Sequence, residues 1–134
     1  MFGSLDISAS GMVAQRTRLE VASANIANKD AVEDASGRYN PYRRKEAILA
    51  TGDGKSPGGW GTRVREVRSD PDALRRVLRP GHPHADRDGY LWVPDIEPAM
   101  EMVNAMEASR AYEANLAAAE ATKAMLQASL RLLA

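Results

Sequence analysis

The sequence predicts a mainly α chain with a small β-rich insert, in which long N- and C-terminal helices pair as an antiparallel coiled coil and short strands and loops fill the centre. Three observations carry this expectation. The stretch from Pro98 to Ala134 contains no glycine, and no proline after its first position. Within it Met102, Ala105, Ser109, Tyr112, Leu116, Ala119, Lys123, Leu126, Leu130 and Leu133 form a seam in alternating steps of three and four, broken only by Ser109 and Lys123. Residues 29–97, by contrast, are crowded with glycine, proline and aspartate, a density of breakers that no long helix survives.

The first element reads as helix from Leu5 to about Asn28. Leu5, Met12, Leu19 and Ile26 recur every seventh residue, with alanines filling much of the rest. Ser4 is placed to act as N-cap and Asp6 to complement the positive end of the helix dipole. Gly11 interrupts the pattern at a cost of about 1 kcal/mol relative to alanine. It is either a tolerated imperfection or a point where a second helix backbone approaches closely.

Between the helices, strand character marks Lys45–Ala50, Thr62–Arg68, Leu74–Leu78 and Tyr90–Val93. Residues 51–61 contain five glycines and read as an exposed, flexible loop without a fixed shape. The domain plan is therefore an N-terminal helix over 1–28, a central β-rich insert over 29–97 and a C-terminal helix over 98–134.

That last helix starts with Pro98 at a tolerated early position and Glu101 in the first turn. It is still apolar at Leu132 and Leu133, without a cap, which points to a tip buried by something outside the chain. It would be about 55 Å long, whereas a compact domain of this size has a diameter of about 36 Å. Part of its apolar face must meet another long helix, from this chain or a neighbour. Complementary seams on the two terminal helices suggest that they pair with each other.

Composition narrows the function. The chain has 134 residues, 44% apolar, with 18 basic and 18 acidic side chains and no cysteine. Net neutrality argues against a nucleic-acid or anionic-membrane partner and permits dense packing of copies. Without cysteine there is no disulfide, thiolate nucleophile or sulfur-based zinc site. Residues 1–11 lack the basic and apolar regions of a cleaved signal peptide, and no apolar run is long enough to span a membrane.

Catalytic patterns fare poorly. His82, His84, Asp86 and Asp88 are the only concentration of imidazole and carboxylate, but Pro83 separates the histidines and no further His or Cys completes a metal site. The expected reading is a turn with solvated side chains. Lys55 and Ser56 lie in a glycine-rich stretch without the order of a phosphate-binding loop. Arg43, Arg44 and Lys45, flanked by Tyr39 and Tyr42, can contact phosphate or stack on a base, but the default is a solvated strand edge. Met100, Met102, Met106 and Met125 read as packing residues of an assembled bundle. No catalytic residue, metal, cofactor or small-molecule substrate is expected.

Several segments in order resemble one family. These are Asp6-Ile7-Ser8-Ala9-Ser10-Gly11-Met12 followed by Ala24-Asn25-Ile26-Ala27-Asn28, then Tyr42-Arg43-Arg44-Lys45. Pro80-Gly81-His82-Pro83, Ala85-Asp86, Gly89-Tyr90 and Pro94 follow, and then Glu101-Met102-Val103 and Ala108-Ser109-Arg110-Ala111-Tyr112-Glu113-Ala114-Asn115. Together they resemble the axial proteins of the bacterial flagellum, and among these the proximal rod proteins of the FlgC type. Lys29-Asp30-Ala31-Val32, His84 and Asp95 depart from the family's usual residues.

The resemblance implies a non-enzymatic subunit of the basal-body rod. It would be exported without a cleaved signal peptide through the flagellar type III apparatus, then polymerise helically in the periplasm. Partners would be further copies, other rod proteins, the export apparatus and inner-membrane ring proteins. The terminal helices would line the inner tube, with the insert outside. Seam and resemblance together put the assembly interface on Leu5, Met12, Leu19, Asn25, Ile26 and Asn28, and on Met102, Met106, Tyr112, Asn115, Leu116, Leu126, Leu130 and Leu133. The alternative is a free-standing coiled-coil adaptor or chaperone, with a small metal enzyme built on His82 and His84 as a further rival.

Overall fold

The computed structural model describes residues 2–54 and 59–133. Its elements are α1 (Phe2–Ala27), β1 (Lys45–Thr51), β2 (Thr62–Ser69), β3 (Leu74–Leu78), β4 (Tyr90–Pro94) and α2 (Pro98–Leu133). All four strands lie within a residue of where alternation and breakers place them. They form two separate antiparallel pairs, β1 with β2 and β3 with β4.

The two helices run side by side in opposite directions. Asn25 meets Glu101, Arg18 meets Glu107, and Gly11 faces Asn115. α1 begins at Phe2, so Ser4 lies within the helix and not at its N-cap, and no acidic residue falls in the first turn.

The first hairpin packs on α1. Thr62 N–H donates to Ser10 Oγ at 3.1 Å, and Ser10 Oγ donates to Ile7 O at 2.7 Å. The ladder continues past the strands, with Gly52 N–H donating to Gly61 O and Gly54 N–H to Gly59 O at 2.8 and 2.9 Å. Gly52, Gly54, Gly59 and Gly61 are thus joined by backbone hydrogen bonds across the loop. Gly61 has φ +101° and lies against Ser10 and Ile7 so closely that a Cβ there would collide with Ser10 Oγ. Residues 55–58, on which the rest of the flexible-loop expectation falls, and with it Lys55 and Ser56, lie outside the described residues.

The β1–β2 register shifts between Ile48 and Leu49, where Arg65 is the extra residue on β2. Such a bulge bends the ribbon and lets Leu49 and Val64 stay half-buried. In the second pair, Leu91 and Val93 are buried while Tyr90 and Trp92 are exposed, the period-two alternation of a strand with one face covered. The buried apolar residues are mostly small on the helices (Ala14, Ala22, Ala108), with Ala73, Leu91, Val93 and Ile96 in the second pair and the run into α2.

Candidate functional site

Where α1, β1 and α2 converge, a polar side chain is sealed in. Asn25 is 0% exposed and Glu101 2%. The Asn25 amide nitrogen donates to Lys45 O at 2.9 Å and to Glu101 Oε2 at 3.0 Å. Its oxygen accepts from Lys45 N–H at 2.9 Å and from the Tyr42 hydroxyl at 3.1 Å. All four hydrogen-bonding positions of the amide are filled. Glu101 Oε1 in turn receives Arg44 Nε at 2.6 Å, a charge-assisted bond of the strong class. Burial, and then the neighbouring Glu101 charge, push the Tyr42 phenol above its ordinary value.

This node corrects the expectation that residues 43–45 form a solvated strand edge. Arg44 reaches inward because a buried carboxylate at Glu101 needs compensation, and Tyr42 because its hydroxyl fills the second acceptor position of the buried Asn25 oxygen. Sequence reasoning placed Glu101 only as a first-turn acid and missed its partners; the signal was a basic-aromatic run ahead of a strand with a lone acid at a helix start. Asn28, three residues on from Asn25, donates its amide to Ala24 O at 2.8 Å and closes the end of α1.

Along the helix pair, the facing stripes are small or polar. Ser8, Gly11, Ala14, Ala22 and Asn25 of α1 are buried, as are Glu101 and Ala108 of α2. A Cβ on Gly11 would lie 2.6 Å from Asn115 Oδ1. Gly11 is thus a close-approach point, filled by the Asn115 side chain and not by backbone. The two apolar seams do not meet face to face as their complementarity suggested. Close packing selects small residues for the line of contact, and the large side chains one position over are displaced to its flank.

On that flank Gln15, Arg16, Leu19, Ala108, Ser109 and Tyr112 line a groove of about 320 Å³. The first hairpin flanks the other side of α1, where Ser10, Val13 and Ala14 face Thr62 and Val64 across a cavity of about 390 Å³ that leaves Val13 exposed. Met102, Met106, Tyr112, Leu116, Leu130 and Leu133 are exposed, as is Leu19. Leu5, Met12, Ile26, Asn28, Asn115 and Leu126 are half-buried.

The histidines are not simply solvated. His84 Nε2 lies 2.8 Å from Glu33 Oε1, and its ring stacks on Tyr39 with centroids 5.2 Å apart. His82 Nδ1 accepts the His84 backbone N–H at 3.2 Å. Asp86 accepts Tyr90 N–H at 2.8 Å and Arg76 at 2.6 Å, and these bonds hold its carboxyl below the usual range. Among the described residues no group of three His, Cys, Asp or Glu side chains is placed to hold a metal ion.

Two family models match the chain. One, described as flagella basal body rod protein, covers residues 5–33; the other, the C-terminal region of flagellar basal body rod FlgEFG proteins, covers residues 87–132. The chain is 35% identical to the flagellar basal-body rod protein FlgC of Bacillus subtilis, over 98% of this chain and 97% of that one. It is 39% identical to FlgC of Yersinia enterocolitica and 36% to FlgC of Salmonella typhimurium, each over 95% of this chain and 93% of the relative. The chain belongs to the FlgC family of flagellar basal-body rod proteins.

In this FlgC-family member the two matched regions are the two partners of the buried node. The N-terminal match spans α1 with Asn25 and Asn28, and the C-terminal match spans β4 and α2 with Glu101. What the FlgC resemblance marks as a motif in Asn25 to Asn28 is, in physical terms, one residue that ties both helices to β1 and one that ends a helix.

Proposed function

We propose that this chain is a non-enzymatic structural subunit of the flagellar rod that polymerises helically through its terminal helices. The observation that carries the reading is the row of large apolar side chains which the chain's own packing leaves open, Met102, Met106, Tyr112, Leu116, Leu130 and Leu133, on a protein with no net charge. Each leucine or methionine buried on assembly contributes about 1.5–3 kcal/mol, and a contact between unlike surfaces whose rotation does not close a ring propagates into a helix.

In this proposal the helices pair as a coiled coil. The sevenfold spacing of Glu101, Ala108, Asn115 and Thr122, each at least half-buried, supports it. Residues 1–28 and 98–134 form the inner layer around an export channel and 29–97 the outer layer. The assembly interface comprises Leu5, Met12, Leu19, Ile26, Met102, Met106, Tyr112, Leu116, Leu126, Leu130 and Leu133, while Asn25, Asn28 and Asn115 act by shaping the pair. Neighbours are further copies, other rod proteins, the export apparatus and inner-membrane ring proteins. The subunit takes its place in the periplasmic rod.

Replacing Leu126 and Leu130 together with Asp tests this. The subunit should still be secreted, while rods and motility are lost; normal motility in that variant would sink the reading. Purified native protein should be monomeric until nucleated, and a small closed oligomer would favour a coiled-coil adaptor or chaperone instead.

A further inference from the structure

The helix pair is unequal at one end. Antiparallel helices advance equally per residue, so the pairings of Asn25 with Glu101, Arg18 with Glu107 and Gly11 with Asn115 bring Phe2 opposite Ala124. Among the described residues, nothing of α1 then lies beside Met125–Leu133. This overhang is about 13 Å long. Its apolar side chains spread over a broad arc of about 160° at 100° per residue, from Leu132 and Met125 through Leu133 and Leu126 to Leu130, with Gln127 and Arg131 on the opposite side. Leu132 is 88% exposed and Leu133 85%. An apolar face that wide, left uncovered, marks a contact site. Its one charge is Arg131.

The flank groove has the opposite character. It is a depression on the helix pair walled by Leu19 and Tyr112. By heptad position Glu113 stands on its α2 rim and Glu120 lies two turns further along the same side of α2, and neither makes an ion pair among the described residues; Arg16, which also lines the groove, is already paired with Glu20 at 2.9 Å. A chain cannot fill its own groove, because α2 is one continuous helix and Leu130 lies about 27 Å along it from Tyr112.

We propose that the α2 tip of one copy docks in the Leu19–Tyr112 groove of a second copy, with Arg131 against Glu113 and Glu120. The inference rests on the assembly reading above and names its contact. Tip and groove are different surfaces, so each copy offers one of each. The contact is heterologous and extends from copy to copy.

The chain contains no cysteine, so introduced thiols report without background. In cells carrying Leu19→Cys together with Leu132→Cys, oxidation should link copies into species at multiples of the chain mass. The control pair, Val67→Cys with Leu132→Cys, should link at least about tenfold less, since a disulfide needs Cβ atoms about 4 Å apart. Equal linking in the control, no linking in motile cells, or linking to a species of another mass would overturn the proposal. As a second arm, Arg131→Glu should lower rod number about tenfold, and adding Glu113→Arg with Glu120→Arg should restore it to within about twofold. Failure of that rescue would also overturn it. Motile cells without the cross-link sink this contact alone, whereas motility of the Leu126→Asp, Leu130→Asp variant sinks the assembly reading beneath it.

Discussion

Asn25 and Glu101, 76 residues apart in sequence, are hydrogen-bonded at 3.0 Å in the buried centre of the molecule. Among the described residues, this is the one place where both helices and the insert are fastened together by polar atoms. Because no polar atom of the node is left over, each member is exposed to the loss of any other.

We predict that Asn25→Ala destabilises the folded chain by about 2–4 kcal/mol, since it strands the Lys45 backbone groups and one Glu101 oxygen in the interior. Arg44→Met should cost a comparable amount by leaving Glu101 charged and unpaired. The double variant Arg44→Met, Glu101→Leu should recover much of that loss, because a buried pair replaced by apolar residues is often neutral. Urea unfolding of wild type, Arg44→Met, Glu101→Leu and the double variant closes a double-mutant cycle and measures the coupling. Strict additivity would contradict the node's role.

The Tyr42 phenol carries a pH dependence of definite sign. Its value is raised from 10.0, first by burial and then by Glu101. The unfolded chain therefore ionises at lower pH than the folded one. The stabilisation is fully present below pH 10, and it is lost as pH rises through the raised folded value. Unfolding midpoints of wild type and Tyr42→Phe should thus converge on the alkaline side. A constant gap between them at all pH values would refute this.

The strands, both helices and the central breaker region were legible because their signals are local: period two, period 3.6, and glycine or proline at turns. What was not legible depended on partners distant in sequence. The seams of Leu5, Met12, Leu19 and Ile26, and of Met102 to Leu133, are legible in the sequence as stripes. Periodicity fixes a stripe on a helix but not which neighbour it faces, and packing gave the contact to Gly11, Ala14, Ala22 and Ala108 instead. Arg44 and Tyr42 read as surface residues because nothing near them announces a buried acid more than fifty residues away. The Asn25 to Asn28 segment was recognisable by resemblance, while its chemistry needed the coordinates.

The outer edge of β4 is closed by side chains. The Tyr39 hydroxyl accepts Trp92 N–H at 3.0 Å and donates to Trp92 O at 2.9 Å. Asp86 takes Tyr90 N–H on its carboxylate and gives its own N–H to Tyr90 O at 2.8 Å, and Pro94 has no N–H to offer. An open edge invites strand pairing between molecules. Tyr39→Phe keeps the ring on His84 but frees the Trp92 backbone. It should cost about 0.5–1.5 kcal/mol in urea unfolding and increase self-association in sedimentation at high concentration. Unchanged sedimentation would show that the edge needs no such guard.

Gly11 and Asn115 form a pair whose energetics oppose helix propensity. Alanine at an exposed helical position gains about 1 kcal/mol over glycine, but at Gly11 the added methyl would lie 2.6 Å from Asn115 Oδ1 and 2.8 Å from its Cγ. Asn115 is also held by its own bond to Ala111 O at 2.8 Å, so it cannot turn aside without losing that contact. Gly11→Ala alone should therefore destabilise by about 1–3 kcal/mol, the range for overpacking. With Asn115→Ala the obstruction is gone, and the double variant should be more stable than Gly11→Ala and close to Asn115→Ala or above it. Thermal unfolding of the three variants against wild type decides the matter, and a Gly11→Ala variant that is stabilised on its own would show that the helices are not closely apposed there.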